Sequence, residues 1–192
     1  MTQEAAMTPI EPRELRNAFG TFATGVTVVT CRSEDGVPHG ATVNAFTAVS
    51  LDPPLAQVTL TRTSRAARYL DGTPFAINIL SQDQLDLAWH FAGKPLPHEP
   101  AWSLDGTIPV LLENKATLEC KPWRIYDGGD HIIVIGEVQT LEVSDREPLL
   151  FFGGKFREIG RPAGSSHWHH GGDSLENGWF SGAESFKTLI HA

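Results

Sequence analysis

The sequence predicts a mainly β protein, an antiparallel barrel with a few short helices. Three observations predict it. At least seven segments carry the β-branched or alternating pattern of strands, against about three short helical ones. Strands and helices do not alternate as a doubly wound parallel sheet requires. Short turn signals, Asp35-Gly36 and Asp52-Pro53-Pro54 among them, join neighbouring strand runs, and closing such a meander into a barrel removes its edges.

Taken in order, residues 1–11 read as a flexible arm. A helix is predicted from Pro12, because Leu15, Ala18, Phe19 and Phe22 fall at i, i+3, i+4 and i+7 and proline suits a first turn; Gly20 and Gly25 mark its end. Residues 25–31 are β-branched and alternating, and 40–43, 46–51 and 55–61 read as further strands. Residues 64–70 are predicted as a short helix with Ser64 as N-cap. Residues 75–80 make a buried strand. Ser81 and Gln84 have capping-box spacing, opening a helix with Leu85, Ala88, Trp89 and Ala92 on one face. A Pro/His-rich loop runs from Lys94 to Trp102, followed by strands at 116–120, 131–143 and 148–152. After Phe156 the pattern fades, leaving one barrel domain over 12–159 and a tail of uncertain order over 160–192.

A chain of 192 residues hides about 70% of its unfolded surface, enough for one core. Its net charge of −8 suits no generic nucleic-acid binder. The two cysteines, Cys31 and Cys120, show neither a disulfide framework nor zinc-finger spacing. The start lacks a signal-peptide pattern, and the longest apolar run, around 132–135, is too short for a membrane span. A cytoplasmic protein with no metal, nucleic acid or membrane partner is expected.

Dinucleotide, Walker, zinc-protease and nucleophile-elbow motifs are absent, disfavouring those enzyme classes. Four segments stand out. Residues 40–54 alternate small or hydroxyl residues with Val and Phe, a surface that a flat aromatic ligand can approach closely; a plain edge hairpin explains the same pattern. Thr61-Arg62-Thr63-Ser64-Arg65 opens the short predicted helix, where N–H groups and cations suit phosphate; a solvated helix start explains it as well. Gly128-Gly129-Asp130 forms a tight-turn signal that projects His131 at a strand mouth. His167-Trp168-His169-His170 has metal-like composition but no neighbouring carboxylate or cysteine, and is read as incidental.

The sequence resembles the small flavin reductases of two-component flavin monooxygenases. The resemblance runs over about residues 12–158, through residues 22–30, Thr42 to Pro54, Phe75 to Ser81 with Phe91-Ala92-Gly93, Gly129-Asp130-His131, and residues 148–156. It implies an FMN-binding split barrel, a homodimer, and NADH- or NADPH-dependent reduction of FAD or FMN for a partner monooxygenase acting on an aromatic compound. It also implies that Thr42, Val43, Asn44 and Ala45 line the flavin ring and that Ser50 and Leu51 lie along the ribityl chain. Arg62 and Ser64 would meet flavin phosphate, and Asn78 with Phe91, Ala92, Gly93 and Lys94 would flank the rest. His131, Phe156 and Arg157 are expected at the nicotinamide nucleotide; Phe156 stands where many relatives have Tyr. Two alternatives are an oxidase on the same barrel, of the pyridoxamine-phosphate-oxidase type, and a non-catalytic flavin-binding module. The first requires a second phosphate clamp, and the sequence has one basic cluster.

Overall fold

The computed structural model describes residues 9–160. Most of the expected arm, the tail beyond Gly160 and the 167–170 tract lie outside the described residues. In chain order the elements are α1 (Pro12–Phe19), β1 (Thr24–Gly25), β2 (Thr27–Arg32), β3 (Pro38–Val43), β4 (Phe46–Leu51), β5 (Pro54–Thr61), β6 (Phe75–Ile79), α2 (Leu85–Phe91), β7 (Trp102–Ser103), β8 (Val110–Leu111), β9 (Ala116–Gly128), β10 (His131–Val143), β11 (Leu150–Phe152) and β12 (Lys155–Arg157).

Seven strands form one antiparallel sheet in the order β3-β2-β6-β9-β10-β5-β4. Its two edges, β3 and β4, are consecutive in the chain and separated only by Asn44 and Ala45. Each extended residue adds at most about 3.6 Å, so this link draws the edges together and the sheet curls into a split barrel. The β4–β5 ladder runs on into this link, where the Thr59 N–H donates to the Ala45 carbonyl at 3.0 Å. A small sheet, β1-β11-β12, and a two-stranded one, β7-β8, complete the described residues.

Alternation sorts the strand residues into two cores. Val29, Val58, Leu60, Phe75, Ile77 and Val134 pack into one cluster; Val26, Val28, Leu80, Leu111 and Leu149 pack into another with Ala88 of α2. Each fully buried Val, Leu, Ile or Phe contributes roughly 1.5–3 kcal/mol. Because β2 and β6 are covered on both faces, they read as continuous buried runs in the sequence. Gly136 makes room for Phe75: a Cβ there would lie 2.5 Å from the ring's Cζ.

Several expectations are corrected. The helix expected over 64–70 is a single 3₁₀ turn, Ala66–Arg68, although Ser64 Oγ does accept from the Ala67 N–H at 3.2 Å. The strand expected to stop at 120 runs on to Gly128. Pro122 is tolerated because Arg124 opposes Ile135 while Pro122 opposes Gly136, a bulge that leaves Trp123 between them. Strands β1, β7, β8 and β12 are too short to show a period. The expected capping site survives in part: Gln84 Oε1 accepts from the Ser81 N–H at 2.9 Å, and a 3₁₀ turn, Gln82–Gln84, leads into α2. Among the described residues, no helix is long and apolar enough to cross a membrane.

Candidate functional site

The seam of the barrel opens into a cleft. Its central part, about 680 Å³, is lined by Thr42, Val43, Asn44 and Ala45, by Thr61, Thr63 and Ser64, and by Phe91, Ala92 and His131. A second chamber of about 610 Å³ shares Ser64, Phe91 and Ala92 and adds His39, Gly40, Arg65, His90 and Gly93. A smaller, apolar recess of about 300 Å³ shares Thr42, Val43, Asn44 and Ala92 and is walled by Trp89, Phe151 and Phe156. The shared residues make these one continuous groove along the free edge of β3.

Local chemistry positions each wall. Thr42 Oγ1 donates to the Ala88 carbonyl at 2.8 Å and fastens β3 to α2. Phe91 packs on bare Gly40, where a Cβ would lie 2.6 Å from its Cδ1. Gly93, at φ +99°, turns the chain out of α2. Among the described residues, the Asn44 and Ala45 amides have no hydrogen-bond partner, so the link between β3 and β4 offers free donors beside small side chains. In the recess, Phe156 meets Trp89 edge-on at 5.0 Å and Phe151 at 5.4 Å.

His131 is presented by a two-residue hairpin, Gly129-Asp130, between β9 and β10. Gly128 pairs with His131, and Gly129 takes φ +75°, which glycine adopts without steric cost. His131 Nδ1 donates to Asp130 Oδ1 at 2.6 Å, leaving Nε2 3.5 Å from Thr61 Oγ1. The hydrogen bond from His131, reinforced by its charge, holds the Asp130 carboxyl below the usual carboxylate range. Asp127 is lowered too, first by the Gly129 N–H and then by Arg62. In the second chamber, His39 stacks on Tyr69 at 4.8 Å; burial and the charge of Arg65 lower its pKa.

Thr42, Val43, Asn44, Ala45, Ser64, Phe91, Ala92, Gly93, His131 and Phe156 are thus brought to one groove. The other expected site residues do not line the groove, although Lys94 sits over one of its walls. Asn78 is fully buried. It donates to the Val28 carbonyl (2.9 Å) and Thr30 Oγ1 (3.0 Å), and accepts from Leu111 N–H and Asn114 Nδ2 (both 3.0 Å). It braces the strands and does not reach the cleft. Ser50 and Leu51 are at the far end of β4, roughly 15 Å along the strand from Ala45. Arg62 is spent on the β9–β10 turn, with Nε on the Gly129 carbonyl and Nη2 on Asp127 Oδ2, both at 2.7 Å. The neighbouring Arg65 lines the groove in its place, and the single 3₁₀ turn beside it has too few peptide units for a helix dipole. Lys94 places Nζ 3.8 Å from the centre of the Trp89 ring. Arg157, on β12, pairs across to Leu150 on β11 and does not line the groove.

Sequence reasoning missed His39, His90 and Trp89. Their signal was available in part: His39 precedes Gly40 on the edge strand, and Trp89 and His90 directly precede Phe91. A flat groove with free amides, small side chains and one histidine at its mouth binds and orients; it presents no activated nucleophile.

Comparison with known proteins agrees with this geometry. Residues 19–160 match the family model described as a flavin reductase like domain. The chain is 41% identical over 152 residues to the FMN reductase (NADH) SmoA of Agrobacterium fabrum, covering 78% of this chain and 87% of that protein. It is 35% identical over 157 residues to HsaB of Rhodococcus jostii, the reductase subunit of a flavin-dependent monooxygenase, covering 78% of this chain and 79% of that protein. Among solved structures, the flavin reductase PheA2 superposes with a TM-score of 0.75 at 38% identity, covering 79% of this chain and all of that one.

Proposed function

The chain belongs to the flavin reductase like family, and on that premise we propose that it reduces FAD or FMN with NADH or NADPH and supplies the reduced flavin to a flavin-dependent monooxygenase. The observation that carries the reading is the free edge of β3. Residues 42–45 face the groove with small side chains and two unpartnered amides, opposite Phe91 and Ala92 and under His131. A planar ring fits such a slot, and 680 Å³ falls within the range of small-molecule sites.

When bound, the flavin supplies the ring that accepts hydride. The protein's residues bind and orient. The Asn44 and Ala45 amides would hold the polar edge of the ring and would offset negative charge there, as preorganised donors do for oxyanions. Thr42 and Ala45 leave the backbone open to close approach. Ser64 and Arg65 are suited to the flavin phosphate, His131 at the groove mouth to the nicotinamide nucleotide, and Phe156 to the wall beneath it. Hydride transfer from a nicotinamide to a flavin held here would need no protein acid or base, which fits a groove built for orientation. The NADH-dependent reductases among the relatives favour NADH, and their names favour a reductase over an oxidase or a non-catalytic binding module.

The site also argues for a homodimer. Leu15, Phe19 and Phe22 on and just after α1 are 40%, 70% and 75% exposed, and no residue of α1 is buried. An apolar face of this kind, with Phe19 reaching the groove itself, is suited to a second copy of the chain. Sedimentation at micromolar concentration tests it, and a monomer mass contradicts it. The flavin assignment is tested by fluorescence titration of Asn44→Trp, whose bulk fills the slot. Flavin affinity is expected to be lost in a folded protein; unchanged affinity removes residues 42–45 from the site.

A further inference from the structure

We infer that Arg62 is a positioning residue, clamping the turn at residues 128–130 so that His131 faces the groove, and not a ligand of the flavin phosphate. This rests on the reading of His131 as the contact for the nicotinamide nucleotide.

Three separate bonds run from Arg62 to that turn. Its backbone N–H donates to the Asp130 carbonyl at 3.1 Å, its Nε to the Gly129 carbonyl at 2.7 Å, and its Nη2 to Asp127 Oδ2 at 2.7 Å. Asp127 Oδ1 in turn accepts from the Gly129 N–H at 2.8 Å. Both polar faces of the Gly129 residue are therefore held, one by Arg62 and the other by the carboxylate that Arg62 pairs with. The register explains the reach: Thr61 opposes His131, so Arg62 is the first residue past the end of the paired strand, level with the turn. Two adjacent glycines give this turn little stiffness of its own. The clamp supplies it at the residue pair, Asp130 and His131, whose side chains are bonded to each other at 2.6 Å. A guanidinium suits the task because its planar fork donates to two acceptors at once, which a lysine ammonium does not reproduce. The Arg62 side chain is 43% exposed and that of Asp127 82%, so each is held by geometry and not by burial. An exposed pair of this kind is worth about a two- to fivefold change in an equilibrium.

The test compares Arg62→Ala, Arg62→Lys, Asp127→Ala and the double alanine variant. Two measurements are made: amide hydrogen exchange at Gly129 and Asp130, and steady-state NADH kinetics with either FMN or riboflavin, which lacks the phosphate. In Arg62→Ala, exchange at Gly129 is expected to speed up at least threefold. KM for NADH should rise two- to fivefold with kcat within twofold of wild type, equally with FMN and riboflavin. Asp127→Ala should reproduce this, the double variant should add nothing, and Arg62→Lys should recover only part. A loss seen with FMN but not with riboflavin makes Arg62 a phosphate ligand and overturns the proposal. Unchanged exchange, or faster exchange with unchanged NADH kinetics, overturns it as well. If wild type itself fails to oxidise NADH, the functional reading falls, and hydrogen exchange alone decides whether the clamp exists.

Discussion

Gly40 and Phe91 leave no room for a methyl group between them: a Cβ on Gly40 would lie 2.6 Å from Cδ1 and 2.7 Å from Cε1 of the Phe91 ring. Phe91 borders both large chambers of the groove, so the missing side chain at Gly40 sets how wide the proposed flavin slot is. Gly40→Ala is expected to push the ring into the slot, an overpacking that costs roughly 1–3 kcal/mol. Flavin affinity, read by fluorescence quenching, should fall about thirtyfold at the middle of that range. Adding Phe91→Leu to Gly40→Ala should restore most of it. Wild-type affinity in a folded Gly40→Ala protein would place the flavin away from Phe91.

His131→Ala should weaken the use of NADH and leave flavin affinity nearly intact, because the ring stands at the groove mouth on the β9–β10 hairpin. One hydrogen bond to a charged partner is worth roughly 1.5–3 kcal/mol. That corresponds to about a 10- to 150-fold fall in kcat/KM for NADH. Steady-state rates at saturating flavin measure it, and a change of less than twofold makes His131 an ordinary surface residue.

Asn78→Ala separates scaffold from site. The substitution strips partners from the Leu111 N–H and from Thr30 and Asn114 in the buried network, and each buried group left unsatisfied costs about 1–3 kcal/mol. Urea unfolding should show a loss within or above that range, while flavin affinity stays within twofold of wild type. A large loss of flavin affinity in a variant of normal stability would return Asn78 to the site.

The two cysteines are predicted to be inert. Burial pushes the Cys31 thiol up to about 11, and burial followed by the charge of Glu119 pushes Cys120 up to about 12, from an ordinary value of 9.0. A thiol raised on folding contributes stability that is full below its unfolded pKa and is lost as pH rises through the folded one. Stability should therefore decline from about pH 9 towards pH 11–12. At pH 8 neither thiol should react with an aromatic disulfide reagent until urea is added. Rapid labelling of the native protein would contradict the burial of both.

How much of this was legible beforehand follows from which interactions are local. Strands β2, β4, β5, β6 and β10 announce themselves because alternation and β-branching are properties of the strand itself. The edge segment 42–45 and the His131 turn were legible for the same reason: small residues and a Gly-Gly pair carry their meaning in place. The role of Arg62 was not, because it depends on Asp127, 65 positions away, and on the register that sets Thr61 against His131. Asn78 was expected at the flavin only through the family resemblance; its partners are Val28, Thr30, Leu111 and Asn114, set by a register that the strand's own residues do not reveal. The helix expected after Ser64 shrank to one turn because its N-cap was local while the backbone leaves the helical region at Tyr69, at φ −112° and ψ 1°.

The central claim, that the groove carries a flavin for reduction by a nicotinamide nucleotide, is tested most directly by anaerobic NADH oxidation with and without added flavin. The account predicts no NADH consumption by flavin-free protein. With FAD or FMN in excess over enzyme, it predicts many turnovers, with one NADH oxidised for each flavin reduced. Absence of turnover with saturating flavin and either nicotinamide nucleotide would contradict the account, and so would NADH consumption by the protein without any flavin.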